Sequence, residues 1–456
     1  MSMQANQRSS ELQGGGKGGG DQFSRTGFIL AAIGSSVGLG NMWKFPYITG
    51  KYGGAAFFLV FIICLIIIGL PVMLAEMAIG RGGRGSAAAS FTRLSGKKTW
   101  GGLGFISVLA SFLIFSYYAV VAGWTLHYAM LSFTGQLFSS TDFGGRFDSF
   151  IGSYWPVFWQ GAVLLLTVVV LAAGISSGIE RFNKILIPGL VILLIVLVVR
   201  SLTLEGAMEG VSFFLNPDFG KLTPEAVLAA LGHAFFSLSL GMGIMITYGA
   251  YVKKQQSLSG AAFAVGLGDL LYALLAGLII FPTTFAFNLE PAQGPGLVFV
   301  VLPVAFEAMP LGAWFGGLFF ILLAIAALTS AVSLLEVSVS FLMERVRWGR
   351  TKTVWITGII CFIVGLPSAL SVGGAVGGLS FGGKSIFDWV DFVTSNVMLP
   401  FGGLVVTIFA GYIWKNAAEE AGLTARWFKV WLFMLRYVAP ILVMLVFLYS
   451  TGIIHF

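Results

Sequence analysis

Eleven stretches of about twenty mostly apolar residues recur along this chain, and that repetition limits its fold more than any other feature. They run over 26–48, 54–79, 103–134, 157–174, 183–203, 225–252, 257–288, 313–343, 353–370, 387–413 and 427–451. A helix of about 20 residues rises about 30 Å, the thickness of the hydrocarbon core of a bilayer. The expected fold class is an all-α polytopic membrane protein with eleven transmembrane helices. A soluble core cannot cover so many long apolar runs in a chain of 456 residues. Only 10% of the residues are charged, against about 25% in soluble domains. The 61 glycines suit helices that pack closely in lipid.

The charges that remain are sorted by side. If the N-terminus is cytoplasmic, the inner loops and tail hold nineteen of the 26 Lys and Arg residues, among them Arg81, Arg84, Arg93, Lys97, Lys98, Arg345, Arg347 and Arg350. Six lie outside, including Lys44 and Lys51. This positive-inside bias accounts for the net charge of +7 without a nucleic-acid partner. It predicts an inner-membrane protein with a cytoplasmic N-terminus and, after eleven crossings, Ile453–Phe456 outside. Residues 1–24 are polar and Gly-rich with no apolar run, which reads as a disordered cytoplasmic tail rather than a signal peptide. Residues 25–451 read as a single transmembrane domain. Cys64 and Cys361 both lie in apolar runs, so neither a disulfide framework nor a zinc site is indicated.

Two spans are interrupted in a related way. The first carries Gly34-Ser-Ser-Val-Gly-Leu-Gly-Asn41 and the sixth Ser237-Leu-Ser-Leu-Gly-Met-Gly243. Glycine in membrane helices most often serves packing. A matched pair five spans apart, bearing Ser and Asn, points instead to discontinuous helices in a 5+5 inverted repeat. Repeat one covers about 25–203 and repeat two about 225–413, with 427–451 an extra helix. Unwound backbone at membrane depth persists only where protein buries it or a cavity receives it. A broken helix offers N–H groups to an anion at one end and carbonyls to a cation at the other. Asn41, Ser237, Asp269, Thr329 and Ser330 supply side-chain oxygens that hard cations favour. Asp269, mid-span, is a functional candidate by default. Glu76 is a candidate brace for freed backbone, and for Glu336 a structural role and a water-pathway role both stand. His127 and His233 read as hydrogen-bonded structural residues.

At these residues the chain resembles the neurotransmitter:sodium symporter family, in particular its bacterial eleven-helix amino-acid transporters of LeuT-like fold. The resemblance rests on Gly34-Ser-Ser-Val-Gly-Leu-Gly-Asn-Met-Trp-Lys-Phe-Pro46, Gly53-Gly-Ala-Ala-Phe57, Glu76-Met-Ala-Ile-Gly-Arg81, Gly178-Ile-Glu-Arg-Phe182, Phe235-Phe-Ser-Leu-Ser-Leu-Gly241 and Leu328-Thr-Ser330. It implies two sodium sites. One would use Ser36, Asn41, Ser237, Asp269 and the substrate carboxylate. The other would use Gly34, Val37, Ala326, Thr329 and Ser330. The substrate carboxylate would meet the Leu39 and Gly40 amides and Tyr118. Its amine would meet the carbonyls of Ser35, Phe236 and Ser239. Its side chain would face Ile114, Phe236, Met242, Ser333 and Leu334, and Ser330 also belongs to the expected substrate-binding set. The outer gate maps to Lys44 with Asp391 beneath a Phe236–Tyr118 lid. The acidic member of the inner gate maps to Glu344. The Arg and Trp that usually precede the first span are missing, leaving Lys17 or Arg25 as the expected partners of Glu344.

The expected function is sodium-coupled import of a neutral, hydrophobic L-amino acid. Monoamine carriers of the family place Asp where this chain has Gly38, so nothing offsets an amine that lacks its own carboxylate. Chloride-dependent relatives bind chloride with hydroxyl residues, whereas Ala273 here donates nothing and Asp269 supplies a fixed negative charge, so transport should not need chloride. An enzyme is not indicated. Gly266-Leu-Gly-Asp269 matches the string of intramembrane aspartyl proteases, but that chemistry needs two facing carboxylates. No nucleotide loop, catalytic triad or transition-metal spacing appears, and no obligate protein partner is evident. A substrate-gated channel or sensor of the same fold is the alternative.

Overall fold

The computed structural model describes residues 22–290, 296–373 and 380–454. Most of the expected tail, with Lys17, and the last two residues lie outside the described residues. Nearly everything described is helical, and among the described residues nine helices are long and apolar enough to cross a membrane. In chain order, α1 (Arg25–Ser36) and α2 (Phe45–Lys51) are the halves of the first apolar stretch. Next come α3 (Ala55–Gly83), the short α4 (Ala87–Ser95), α5 (Lys98–Phe133), α6 (Trp155–Ala172) and α7 (Ile175–Leu202). The sixth stretch is again two halves, α8 (Pro224–Ser237) and α9 (Ile244–Ala250). After it follow α10 (Leu258–Ala286), α11 (Gly312–Val346), α12 (Arg350–Ser371), α13 (Ile386–Ile413) and α14 (Ala425–Ser450). The nine continuous helices coincide with nine of the expected spans to within a few residues, except α7, which begins eight residues early with the irregular turn Ile175–Glu180.

Both expected breaks are present. Helix α1 ends at Ser36, where Val37 leaves helical geometry with ψ 87°. Helix α8 ends at Ser237, and the turn that follows holds Ser239, Gly241 and Gly243 at φ 55°, 79° and 74°. Left-handed backbone suits glycine, and at Gly241 space demands it too. A Cβ there would stand 2.3 Å from the Leu399 carbonyl of α13. The freed Gly241 N–H donates to Glu76 Oε1 of α3 at 2.7 Å. Glu76 is therefore the brace expected for the broken helix, since an unpaired buried N–H is costly.

Glycine also sets how closely α3 and α9 approach. A Cβ on Gly80 would lie 1.8 Å from the Ile246 carbonyl, and one on Gly249 would lie 2.4 Å from the Met77 carbonyl. The two backbones touch along a seam that no side chain can enter. Gly80→Ala is expected to force the helices apart and cost about 1–3 kcal/mol, read as a lower melting temperature of the purified protein.

At one end of the bundle a buried charge is fully partnered. Glu336 of α11 is 0% exposed. It receives Arg350 Nη2 at 2.7 Å, Arg350 Nη1 at 3.1 Å and the Tyr251 hydroxyl at 2.8 Å. This bidentate contact gives Glu336 a structural partner that the sequence reading did not name.

Candidate functional site

The two breaks meet. Ser239 Oγ of the second donates to the Ser35 carbonyl of the first at 2.8 Å. Between them lies a small cavity lined from the first break by Ser35, Ser36, Gly38, Leu39, Gly40 and Asn41, and from the second by Phe236, Ser237, Ser239 and Met242. Ile114 and Tyr118 of α5 and Ser330 and Leu334 of α11 close it. The centre of a water-sized sphere has only about 30 Å³ inside, room for a water or two. An amino acid enters only if the lining gives.

Asp269 stands beside this cavity at 0% exposure. Its Oδ1 accepts from Asn41 Nδ2 at 2.7 Å and from Ser237 Oγ at 2.6 Å. Ser237 Oγ also lies 2.8 Å from Asn41 Oδ1. The second carboxylate oxygen, Oδ2, is buried with no hydrogen-bond partner among the described residues, and the same is true of Ser36 Oγ. A buried carboxylate oxygen left bare is costly unless something positive meets it. The donor set here is all oxygen, from a carboxylate, an amide and hydroxyls, which is the chemistry of a hard cation and not of a thiolate- or imidazole-seeking metal. The residues fit sodium.

At the end of α1, Ser330 Oγ of α11 reaches the Gly34 and Ser35 carbonyls at 3.3 Å each. Thr329 Oγ1 donates to the Ala326 carbonyl at 3.0 Å. Of the groups named for a second cation, the Gly34 carbonyl and the Thr329 and Ser330 side chains thus come together where α1 ends against α11. Asn183 of α7 packs there as well, with Oδ1 buried, without a hydrogen-bond partner among the described residues and 2.1 Å from where a Gly34 Cβ would be.

The Leu39 amide points to Tyr118 OH at 3.5 Å. Of the expected side-chain pocket, Ile114, Phe236, Met242 and Leu334 line the cavity. Ser333 does not line it, because its hydroxyl is turned back onto the Ser330 carbonyl at 2.7 Å. Gly38, singled out only for the Asp it lacks, is itself part of the wall. A Cβ on it would sit 2.7 Å from Ser330 Oγ and 3.4 Å from Tyr118 OH.

Beyond Phe236 and Tyr118 opens a second cavity, about 230 Å³ by the same measure, which both Lys44 and Asp391 line. These two form no ion pair. Lys44 Nζ lies over the Phe236 ring, 4.7 Å from its centroid, a cation–π contact. Asp391 accepts from Tyr117 OH at 2.8 Å and Ser395 Oγ at 2.9 Å. A lysine lacks the planar fork that would favour a direct bidentate contact, and the carboxylate is satisfied by hydroxyls. At the far end of the bundle, Glu344 accepts from the Ser86 N–H and hydroxyl and pairs with Arg93. Arg93, on α4, replaces Arg25 as its partner. Sequence reasoning had looked for that cation before the first span. The histidines differ from expectation too. Neither ring nitrogen of His233 has a hydrogen-bond partner among the described residues. Its ring stacks on Phe45 at 5.6 Å, and that of His127 stacks on Phe150 at 4.1 Å.

With this geometry in hand, comparison with known proteins is direct. The family model "Sodium:neurotransmitter symporter family" matches residues 21–141 and 150–455. A sodium-dependent transporter of Bacillus subtilis, YhdH, is 40% identical over 95% of this chain and 98% of its own length. One from Haemophilus influenzae is 37% identical over 93% of this chain and 96% of its own. Among solved structures, MhsT in complex with L-phenylalanine is 48% identical and aligns with a TM-score of 0.88 over 95% of this chain and all of that one. A chain with two interrupted helices around a buried oxygen-lined pocket, matched to one family model over nearly its whole length, belongs to the sodium:neurotransmitter symporter family of sodium-dependent multi-pass membrane transporters.

Proposed function

We propose that this protein is a symporter that imports neutral, hydrophobic L-amino acids with sodium, independently of chloride. One observation carries the reading: the bare carboxylate oxygen of Asp269, buried between two broken helices. It stands where a cation would balance it, and the all-oxygen donor set fits sodium. The similarity to a structure that holds L-phenylalanine supports an amino-acid substrate, as does the mostly apolar wall of Ile114, Met242, Phe236 and Leu334. Met242 adapts to side chains of different shape.

In this reading the first site comprises Ser36, Asn41, Ser237 and Asp269, and the second Gly34, Val37, Ala326, Thr329 and Ser330. Bound sodium supplies positive charge beside the pocket. The freed Leu39 and Gly40 amides and Tyr118 OH orient the substrate carboxylate, and the carbonyls of Ser35, Phe236 and Ser239 take its ammonium. Phe236 and Tyr118 separate the pocket from the outer cavity, so movement of the Phe236 ring away from Tyr118 admits substrate. Lys44, above that ring, moves with it. Glu344 with Arg93 ties α4 to α11 on the inner side. The chain crosses the bilayer eleven times as a 5+5 inverted repeat, with residues 25–451 as one domain and the N-terminus cytoplasmic. The broken helices, with α3 and α10, rock against the rest. Pro188, inside α7, marks a place where that helix can loosen and wet the second site. Two sodium ions carried with a zwitterion provide about 4.6 kcal/mol at 100 mV.

A thermal-shift screen of the twenty amino acids, with and without sodium, tests this directly. Leucine, phenylalanine and similar side chains are expected to raise the melting temperature only when sodium is present, and replacing chloride with gluconate should change nothing. Equal stabilisation in potassium would remove sodium coupling. Stabilisation by dopamine but not by leucine would overturn the substrate class.

A further inference from the structure

A cavity apart from the one between the two breaks lies at the end of the bundle where α4, the start of α5 and the end of α11 converge. It measures about 610 Å³ and is lined by Arg93, Lys98, Glu344 and Arg345 at one end and by Phe105 and Phe341 at the other. Glu344 is consumed by Arg93 and Ser86. Lys98 and Arg345 are both exposed and make no hydrogen bond or ion pair with any described residue. Two positive charges therefore face the cavity without a counter-charge. Helix α5 starts at Lys98 with no capping side chain, so its first-turn N–H groups add to the positive end.

The apolar end is equally unpartnered. Phe105 is 41% exposed and leans on Phe341 with ring centroids 5.1 Å apart. Seven residues of helix separate Lys98 from Phe105, about 10 Å along the axis. Helix α5, 36 residues long, measures about 54 Å against a hydrocarbon core of about 30 Å, which leaves about 12 Å beyond each face. Lys98 then lies at headgroup depth and Phe105 at the edge of the hydrocarbon. A small polar anion would use only the charged end of such a cavity. A molecule with a phosphate at one end and an acyl chain at the other uses both.

We infer that this cavity binds an anionic phospholipid, with the headgroup phosphate between Lys98 and Arg345 and the first acyl carbons on Phe105 and Phe341. The assignment rests on the membrane placement proposed above but not on sodium coupling. Clusters of Lys and Arg at a membrane face attract anionic lipid in this way. Because Arg345 follows Glu344 directly in α11, a bound headgroup holds the end of α11 beside α4, the same two elements that the Arg93–Glu344 pair joins.

Native mass spectrometry on the full-length protein, titrated with phosphatidylglycerol or phosphatidylcholine, provides the test. Wild type should retain one phosphatidylglycerol more than the K98Q/R345Q double variant, whose affinity at that site should fall about thirtyfold. Phosphatidylcholine should not distinguish the two proteins. Equal phosphatidylglycerol retention by both proteins, or equal retention of the two lipids by wild type, overturns the proposal. Inorganic phosphate raising the melting temperature as much as phosphatidylglycerol does would assign the cavity to a free anion and overturn the lipid. Sodium-dependent leucine stabilisation, measured on the same samples, keeps the questions apart. The double variant should retain it, showing an intact fold. Its absence from wild type would defeat the transport reading while leaving the lipid result standing.

Discussion

Asp269→Asn is expected to weaken sodium binding at least about a hundredfold while leaving the protein folded. The asparagine keeps the shape of the carboxylate, and its Oδ1 still accepts from Asn41 and Ser237, which now stand at 2.7 and 2.6 Å. Only the charge is lost. Removing one member of a buried charge pair costs about 3–5 kcal/mol, or between a hundredfold and several thousandfold in affinity. The measurement is a sodium titration of the melting temperature at saturating leucine. Without sodium the variant should melt no lower than wild type, because it carries no bare buried charge, and added sodium should raise the melting temperature of wild type far more than that of the variant. A variant with unchanged sodium affinity would place the ion away from Asp269, and the first site would have to be redrawn.

The second large effect is on stability. Arg350→Gln should cost about 3–5 kcal/mol, because it leaves Glu336, 0% exposed, without the guanidinium that meets both its oxygens. Glu336→Gln added to that variant should restore most of the loss, since a neutral pair needs far less compensation than one bare charge. The melting temperatures of both single variants and the double variant complete the cycle. Additive losses would mean that the two residues do not depend on each other. The cycle also bears on transport, because Tyr251, which donates to Glu336, immediately follows α9, the second half of the second broken helix. If the network only supports the fold, the double variant should carry leucine at close to the wild-type rate.

The long helices were legible because a span leaves a mark that no tertiary context erases. Twenty apolar residues have to be helical in lipid, where every backbone group needs an internal partner. The helices Trp155–Ala172, Arg350–Ser371 and Ile386–Ile413 therefore fall within two or three residues of where hydropathy put them. The breaks were legible because two Gly-rich runs with polar side chains recur five spans apart, a match that packing glycine alone does not explain. Asp269 stood out because an isolated carboxylate in an apolar run needs a reason. Less was legible at the ends of the helices. Glu344 and Arg93 are 251 residues apart, and a chain full of basic loop residues gives no sign of which of them a given carboxylate will meet. Lys44 and Asp391 show the opposite failure. A family pattern pairs them, yet Asp391 is satisfied by Tyr117 and Ser395, and the lysine settles on an aromatic face.

The long apolar helices, the positions of the two breaks and the identity of the oxygen-bearing residues around them were all readable from the order of the amino acids. Each of these follows from local chemistry, namely hydrophobic length, backbone freedom and the cost of a buried charge. Which polar groups meet was set by the packing of the bundle. Glu76 under Gly241, Arg350 on Glu336 and the turned-back hydroxyl of Ser333 depend on the rotation and depth of helices far apart in the chain. A few degrees of rotation redirect such a side chain without changing the apolar pattern, so only the packed bundle records the choice.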